Sequence, residues 1–426
     1  MAKRASPCAG SPFALRAKLY GRFRMPYDGG VSRFSKRTAW DVSESSFAAA
    51  VREARASGRQ LWDLTVSNPT RCGFHYDADE LLPPLMNPQA LTYDPNPRGL
   101  VSAREAVGRY YAGHGAEVGV DDLVLATSTS ECYSYLFGVL CDPGDEVLVA
   151  QPSYPLFDFL ADLDDVRLKP YPLFYDHGWW IDEAELERAI EPRTRAMLVV
   201  HPNNPTGHWT RTTERERLER ICQRHGLVLI VDEVFLDYPL RESAAARSFA
   251  CGEHPVLTFV LGGLSKIAGL PQMKAAWIAT FGPRRDKAEA LGRLEVIADT
   301  FLSMNAPVQL AVPEWIAGAG KIQRQILERA CRNLAVLQKI ATEEPAHLQV
   351  LQVEAGWSAV VALPACVGDR NCAERLLRET GVIVHPGVFY GMAAASRVVV
   401  SLIGPAEEFE EGIRRAISWP ITGEVR

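Results

Sequence analysis

No apolar run in this sequence of 426 residues approaches the roughly 20 residues a helix needs to cross a bilayer. A membrane-spanning protein is therefore not expected. Cysteine pairs at metal-ligand spacing are also missing: Cys8, Cys72, Cys132, Cys141, Cys222, Cys251, Cys331, Cys366 and Cys372 include no C-x-x-C, and their number is odd. That argues against a zinc site and a disulfide framework, and for the reduced, mostly buried thiols of a cytoplasmic protein. Charge of one sign is never concentrated in a long block, and 46 basic residues face 52 acidic ones for a net charge of −6. Neither nucleic acid nor a membrane surface is an expected partner, which leaves small molecules. Internal repeats and low-complexity tracts are absent as well.

The hydrophobic content, 47%, over this length supports two packed domains and suits an enzyme better than a binding module. The start of the chain is different. Lys3, Arg4, Arg16, Lys18, Arg22, Arg24, Arg33, Lys36 and Arg37 face the single acid Asp28, in a stretch broken by Pro and Gly. A transit peptide, a disordered tail, or an upstream start codon with Met25 as the true start all fit, and residues 1–40 are set aside as a basic, flexible extension.

From about residue 121 short β-branched or leucine-rich runs alternate with amphipathic stretches, the pattern of a mostly parallel sheet covered by helices. Strands are expected at Leu123–Ala126, Glu146–Ala150, Val166–Tyr171, Arg195–Val200, Leu227–Val231, Val256–Leu261 and Ala275–Thr280, with helices at Asp182–Ile190 and Thr213–Arg224. Beyond about residue 305 long helical patterns at Gln309–Ala317 and Ile322–Thr342 precede strands near Leu348–Val353, Ser358–Ala362 and Val398–Leu402, then a helix from Pro405, which suggests a smaller α+β domain. Residues 43–58 read as a helix capped by Ser43, with no glutamate or glutamine three positions on to complete a capping box.

Four stretches carry chemistry. In Leu227–Phe235 an apolar strand ends in Asp232, an anion that is costly to bury unless a cation or a protonated nitrogen answers it. In His201–Gly207 a turn follows an apolar strand and brings Asn203 or Asn204 to a strand's carboxyl end, where ligands of open α/β sheets sit. Gly262–Pro271 holds one lysine, Lys266, among small and apolar residues, the setting that yields a neutral amine able to condense with an aldehyde. Thr127–Glu131 is a hydroxyl-rich turn into a helix, suited to cradle a phosphate.

In this order the motifs resemble the class I/II aminotransferase family of enzymes dependent on pyridoxal 5'-phosphate, with fold type I. The matching stretches are Asp63–Pro69, Gly99–Arg104, Pro143–Asp145, Pro152–Tyr154–Pro155, Asn204–Gly207, Asp232–Phe235, Ser265–Lys266 and Pro386–Gly387. The resemblance implies an α/β fold: residues 41–75 as an N-terminal arm and part of the small domain, 76–305 as a large cofactor-binding domain with a mostly parallel central sheet, and 306–426 as a smaller α+β domain. It also implies a homodimer with shared active sites. By the same resemblance Lys266 forms the Schiff base and shuttles the α-proton, and Asp232 pairs with the pyridine nitrogen. Asn204 meets the ring oxygen, Tyr154 stacks on the ring, and Ser128, Thr129, Ser130 and Ser265 hold the phosphate, with Lys274 and, from the neighbouring subunit, Tyr93. Arg397 forks onto the substrate's carboxylate beside Asn204 and Ser67. No metal is implied.

The chain departs from the family pattern where Phe235 replaces a tyrosine, Lys274 an arginine and Gly263 a serine, and Tyr93 lies one residue further from its glycine than usual. The region 298–307 has no basic residue of the kind that reads a side-chain carboxylate. The expected reaction moves an amino group from a neutral, aromatic or alanine-like L-amino acid to a 2-oxo acid by a ping-pong cycle. The alternatives are a lyase or amino-acid oxidase of the same fold. A regulator is disfavoured because no helix-turn-helix pattern precedes the domain.

Overall fold

The computed structural model describes residues 33–241, 247–302, 304–344, 348–363, 369–392 and 396–418. Most of the basic extension, including Met25, lies outside them. Strands β1 (Leu123–Ala126), β2 (Glu146–Gln151), β3 (Arg167–Tyr175), β4 (Trp179–Ile181), β5 (Thr194–Val200), β6 (Val228–Asp232), β7 (Thr258–Gly263) and β8 (Ala276–Phe281) form one sheet in the order β1-β8-β7-β6-β5-β2-β3-β4. The five strands from β7 to β3 run parallel. β8 is antiparallel to both its neighbours, and β4 returns against β3 as a hairpin edge.

Both faces of this sheet are covered, which explains why its strands read as continuous apolar runs rather than as an alternation. In β6 the side chains of Leu229 and Val231 enter a core with Val107, Tyr111, Leu218, Val260 and Trp277. Ile230, pointing the other way, packs with Leu136, Leu198, Phe259 and Leu294. The register brings three strand ends together. Val200 of β5 and Leu261 of β7 each pair with Asp232 of β6, so the segments after β5 and β7 leave the sheet beside Asp232.

A second, antiparallel sheet holds β9 (Gln349–Val350), β10 (Ser358–Ala362), β11 (His385–Pro386) and β12 (Arg397–Ser401) in the order β9-β10-β12-β11. Helices Gly320–Glu343, Asp369–Thr380 and Ala406–Ile417 lie with it, and its core takes Phe47, Ala50 and Leu64 from the N-terminal segment together with Leu334, Leu337, Leu376, Val400 and Phe409. Among the described residues no helix is long and apolar enough to cross a membrane.

Four expectations need correction. Strand β4 is an addition to the expected set, because Trp179-Trp180-Ile181 is too short to show a period and exists by pairing with Leu173–Tyr175. The first long helix is Ser46–Ala56, and Ser45, not Ser43, caps it by accepting from the Ala48 amide at 3.2 Å. The Ser43 amide is instead engaged by the Asp41 carboxylate at 2.8 Å. The strand expected over Leu348–Val353 shrinks to two residues, since only Gln349 and Val350 find partners on β10. Cys372 is disulfide-bonded, whereas Cys72, Cys132, Cys141, Cys222, Cys251 and Cys331 are free thiols. Spacing along the chain says nothing about which thiols folding brings together.

Candidate active site

A cavity of about 180 Å³ opens at the carboxyl ends of β5, β6 and β7. Asp232 closes β6 at its wall. Its carboxylate accepts from the Tyr133 hydroxyl at 2.6 Å and from the Val234 amide at 3.1 Å. Burial pushes the pKa of Asp232 up from its usual value, against the opposing pull of those two donors and of the charge on Lys266. A buried acid in that position favours a protonated partner, which a pyridine nitrogen supplies.

Lys266 lies in the short helix Leu264–Ile267 directly after β7, whose backbone is held where the Tyr238 hydroxyl donates to the Lys266 carbonyl at 2.6 Å. Its ammonium group stands 5.7 Å from the Phe235 ring centre and 5.5 Å from that of Trp357. Both rings stand within cation–π range of the amine.

Asn204 reaches the cavity from the loop after β5. This loop is pinned to the second sheet's side of the molecule: Glu354 takes the Trp209 amide at 3.2 Å and Arg211 at 2.6 Å. Gly207 has φ +67°, and a Cβ there would sit 2.6 Å from the Ala355 carbonyl, so the close approach requires glycine. Thr129 and Ser130 open the helix Thr129–Leu140 and line the cavity with Ser265. Ser128 caps that helix, its hydroxyl accepting from the Glu131 amide at 3.2 Å, and the Glu131 carboxylate takes the Thr127 amide at 2.6 Å. Hydroxyls around a helix N-terminus make an anion cradle.

The structure thus gathers Ser67, Thr129, Ser130, Tyr154, Asn204, Asp232, Ser265 and Lys266 around one cavity. Ser128, Lys274 and Arg397 do not line that cavity. Ser128 stands just before Thr129 and Ser130 as the helix cap. Lys274 is exposed, at φ +55°, in the turn before β8. Tyr93, expected at the neighbouring subunit's site and not at its own, is 78% exposed and lines a hollow with Leu91, Leu302 and Met304. Arg397 opens β12 with its guanidinium 5.9 Å above the Trp179 ring, and the β12 residues at the cavity are Val399 and Ser401. Side chains alternate along a strand, so Arg397 shares the face of Val399 and Ser401 and enters it two residues before Val399. Sequence reasoning also missed Tyr133, Ser358, Trp357, His385 and Tyr390 at the cavity wall. Of these only Tyr133 carried a signal, one turn into the helix after the hydroxyl-rich segment.

Comparison with known proteins agrees with this arrangement. The model of the family "Aminotransferase class I and II" matches residues 85–415. The chain belongs to this family. It is 29% identical over 271 residues to the glutamate-pyruvate aminotransferase AlaA of Escherichia coli K12, a match covering 63% of this chain and 66% of that protein. It is 31% identical over 277 residues to an alanine aminotransferase of Mycobacterium tuberculosis H37Rv, covering 64% of each. The matches therefore span just under two thirds of these relatives' lengths. Among solved structures, an alanine aminotransferase from Pyrococcus furiosus superposes with a TM-score of 0.80 at 22% identity, over 91% of this chain and 99% of that one. That likeness establishes the fold as the α/β architecture of fold type I.

Proposed function

We propose that this chain is a pyridoxal 5'-phosphate-dependent aminotransferase acting on a neutral L-amino acid, alanine or similar, and a 2-oxo acid. The observation that carries the reading is the meeting of Lys266, Asp232 and the Thr129–Ser130 helix terminus at one cavity. The donor set fits the cofactor: a buried acid for a pyridine nitrogen, an amine for an aldehyde, and hydroxyls with free helix amides for a phosphate. When bound, the cofactor supplies an aldehyde and a ring that accepts electrons from the substrate's α-carbon.

Each residue then has a task. Lys266 would anchor the group through its amine, and the same amine would hold the proton that moves at the substrate's α-carbon. Asp232, held by Tyr133 and Val234, keeps the ring nitrogen protonated. Asn204 would donate toward the ring oxygen, Tyr154 would cover a ring face, and Thr129, Ser130 and Ser265 would hold the phosphate. Phe235 cannot give the ring oxygen a second hydrogen bond, and exposed Lys274 leaves the phosphate to neutral donors. Both weaken cofactor retention more than chemistry. A homodimer and a cytoplasmic setting belong to the same proposal.

Borohydride reduction of the cofactor-loaded protein followed by peptide mapping tests it. The expected adduct sits on Lys266 and disappears in Lys266→Ala. An adduct on another lysine, or one that survives in the variant, refutes the assignment.

A further inference from the structure

Residues 354–356, between β9 and β10, join the two segments that carry Asn204 and Lys266. The Glu354 and Ala355 amides both donate to the Gly207 carbonyl at 3.2 Å, and the Gly207 amide closes the turn around Asn204 by donating to the Asn203 carbonyl at 2.8 Å. The same residues also hold the loop after β6, since the Leu240 amide donates to the Glu354 carbonyl and the Gly356 amide to the Tyr238 carbonyl, each at 2.8 Å. Tyr238 in turn gives its hydroxyl to the Lys266 carbonyl. Trp357, the next residue, stacks edge-on against Tyr238 and Phe235.

On the Asn204 side the grip comes from the Glu354 side chain, which is buried. One carboxylate oxygen takes the Trp209 amide and the other takes Arg211, and Nδ1 of His208 lies 3.9 Å away. Nε2 of His208 stands 3.3 Å from Glu214. The His208 carbonyl accepts from the Asn203 amide at 2.8 Å, so the backbone that Glu354 holds is the backbone that closes the Asn204 turn. Charge-assisted hydrogen bonds are shorter and stronger than neutral ones, which suits a clamp.

The cofactor's ring oxygen is where such a clamp is felt. A donor there draws charge from the oxygen and loosens its hold on the neighbouring Schiff-base proton, which then leaves at lower pH. Hydrogen bonds weaken steeply with angle, so a small drift of the turn weakens that donor. We propose that Glu354 is a positioning residue: by clamping the 207–211 backbone to the segment that holds Tyr238 and Lys266, it keeps Asn204 aimed at the ring oxygen. The inference rests on the aminotransferase reading and adds to it a residue that acts from behind the cavity wall.

Two variants test it. Glu354→Gln keeps the shape and an acceptor for Trp209 but removes the charge that Arg211 meets, and Glu354→Ala removes both. Titration of the visible absorbance of the loaded protein should show the Schiff-base pKa raised by about half a unit in the first and by about one unit, tenfold in proton affinity, in the second. In the cofactor-free protein, hydrogen exchange at the Trp209 amide should quicken about tenfold in Glu354→Ala. A double-mutant cycle reads the route: in an Asn204→Ala background neither Glu354 variant should move the pKa further. A lower melting temperature with the pKa in place would make Glu354 merely structural and overturns the inference, as do shifts that persist undiminished without Asn204. Should Glu354→Ala fail to fold, Glu354→Gln decides by the same measurements. A wild-type protein with no Schiff-base band, or with its adduct away from Lys266, overturns the aminotransferase reading and this inference with it.

Discussion

Glu233, next to Asp232, turns burial into a measurable pH dependence. It is 2% exposed and accepts from the Ser248 hydroxyl at 2.7 Å and the Phe249 amide at 2.5 Å. Burial pushes its pKa from the usual 4.5 up to about 7, with Ser248, Phe249, His114 and Arg215 pulling the other way. Because the folded value is the higher one, the folded chain holds the proton longer. Stability from this group is complete below pH 4.5 and is lost as pH rises toward 7. The whole shift corresponds to about 3 kcal/mol at 1.36 kcal/mol per unit. Between pH 5.5 and 8.5 the same two values leave about 2 kcal/mol to be lost. Glu233→Gln keeps the size and the carbonyl acceptor for Phe249 and never ionises. Urea unfolding at pH 5.5 and 8.5 should therefore show wild-type stability falling by about 2 kcal/mol more than that of the variant. Equal falls in the two proteins would show that Glu233 is ionised in the fold and that the reasoning fails.

Removing the hydroxyl in Tyr133→Phe leaves one Asp232 oxygen without its buried donor, at a cost of about 1–3 kcal/mol. The variant should unfold at lower urea and release the cofactor faster, and a cofactor off-rate unchanged by the substitution would remove Tyr133 from the site. Gly263→Ser, which restores the family's residue, should not improve phosphate binding. A Cβ there stands 3.1 Å from the Ala276 Cβ and 3.2 Å from the Ala275 carbonyl, so overpacking should cost about 1–3 kcal/mol, visible as a lower urea midpoint. Tighter cofactor binding with full stability would contradict this.

How much of the site is legible in the sequence depends on the kind of residue. Asp232, Lys266 and Asn204 stand out because each comes soon after a run of mostly buried residues, at Val228–Val231, Thr258–Gly263 and Thr194–Val200, and a strand's end is marked in sequence by the switch from apolar to polar. The hydroxyl-rich turn is legible for the same local reason. Ser358 and Trp357 are not, because nothing in their neighbourhood along the chain separates a residue that faces a cavity from one that faces a core.

Arg397 shows the limit most clearly. A lone arginine heading a β-branched run matches the family's pattern, yet whether it or Val399 meets the cavity depends on the pairing of β12 with β10, which sets Val360 opposite Val399 and Ala362 opposite Arg397. A shift of two residues preserves the face and moves the side chain two steps along the strand, about 7 Å at the usual rise. The sequence alone determined the parallel sheet, the family and the amine–acid pair, since these arise from local runs and their order. Only the tertiary structure decided the wall opposite that pair, because the wall is assembled by long-range strand register, and hydrogen bonds between distant strands leave no periodic trace in either one.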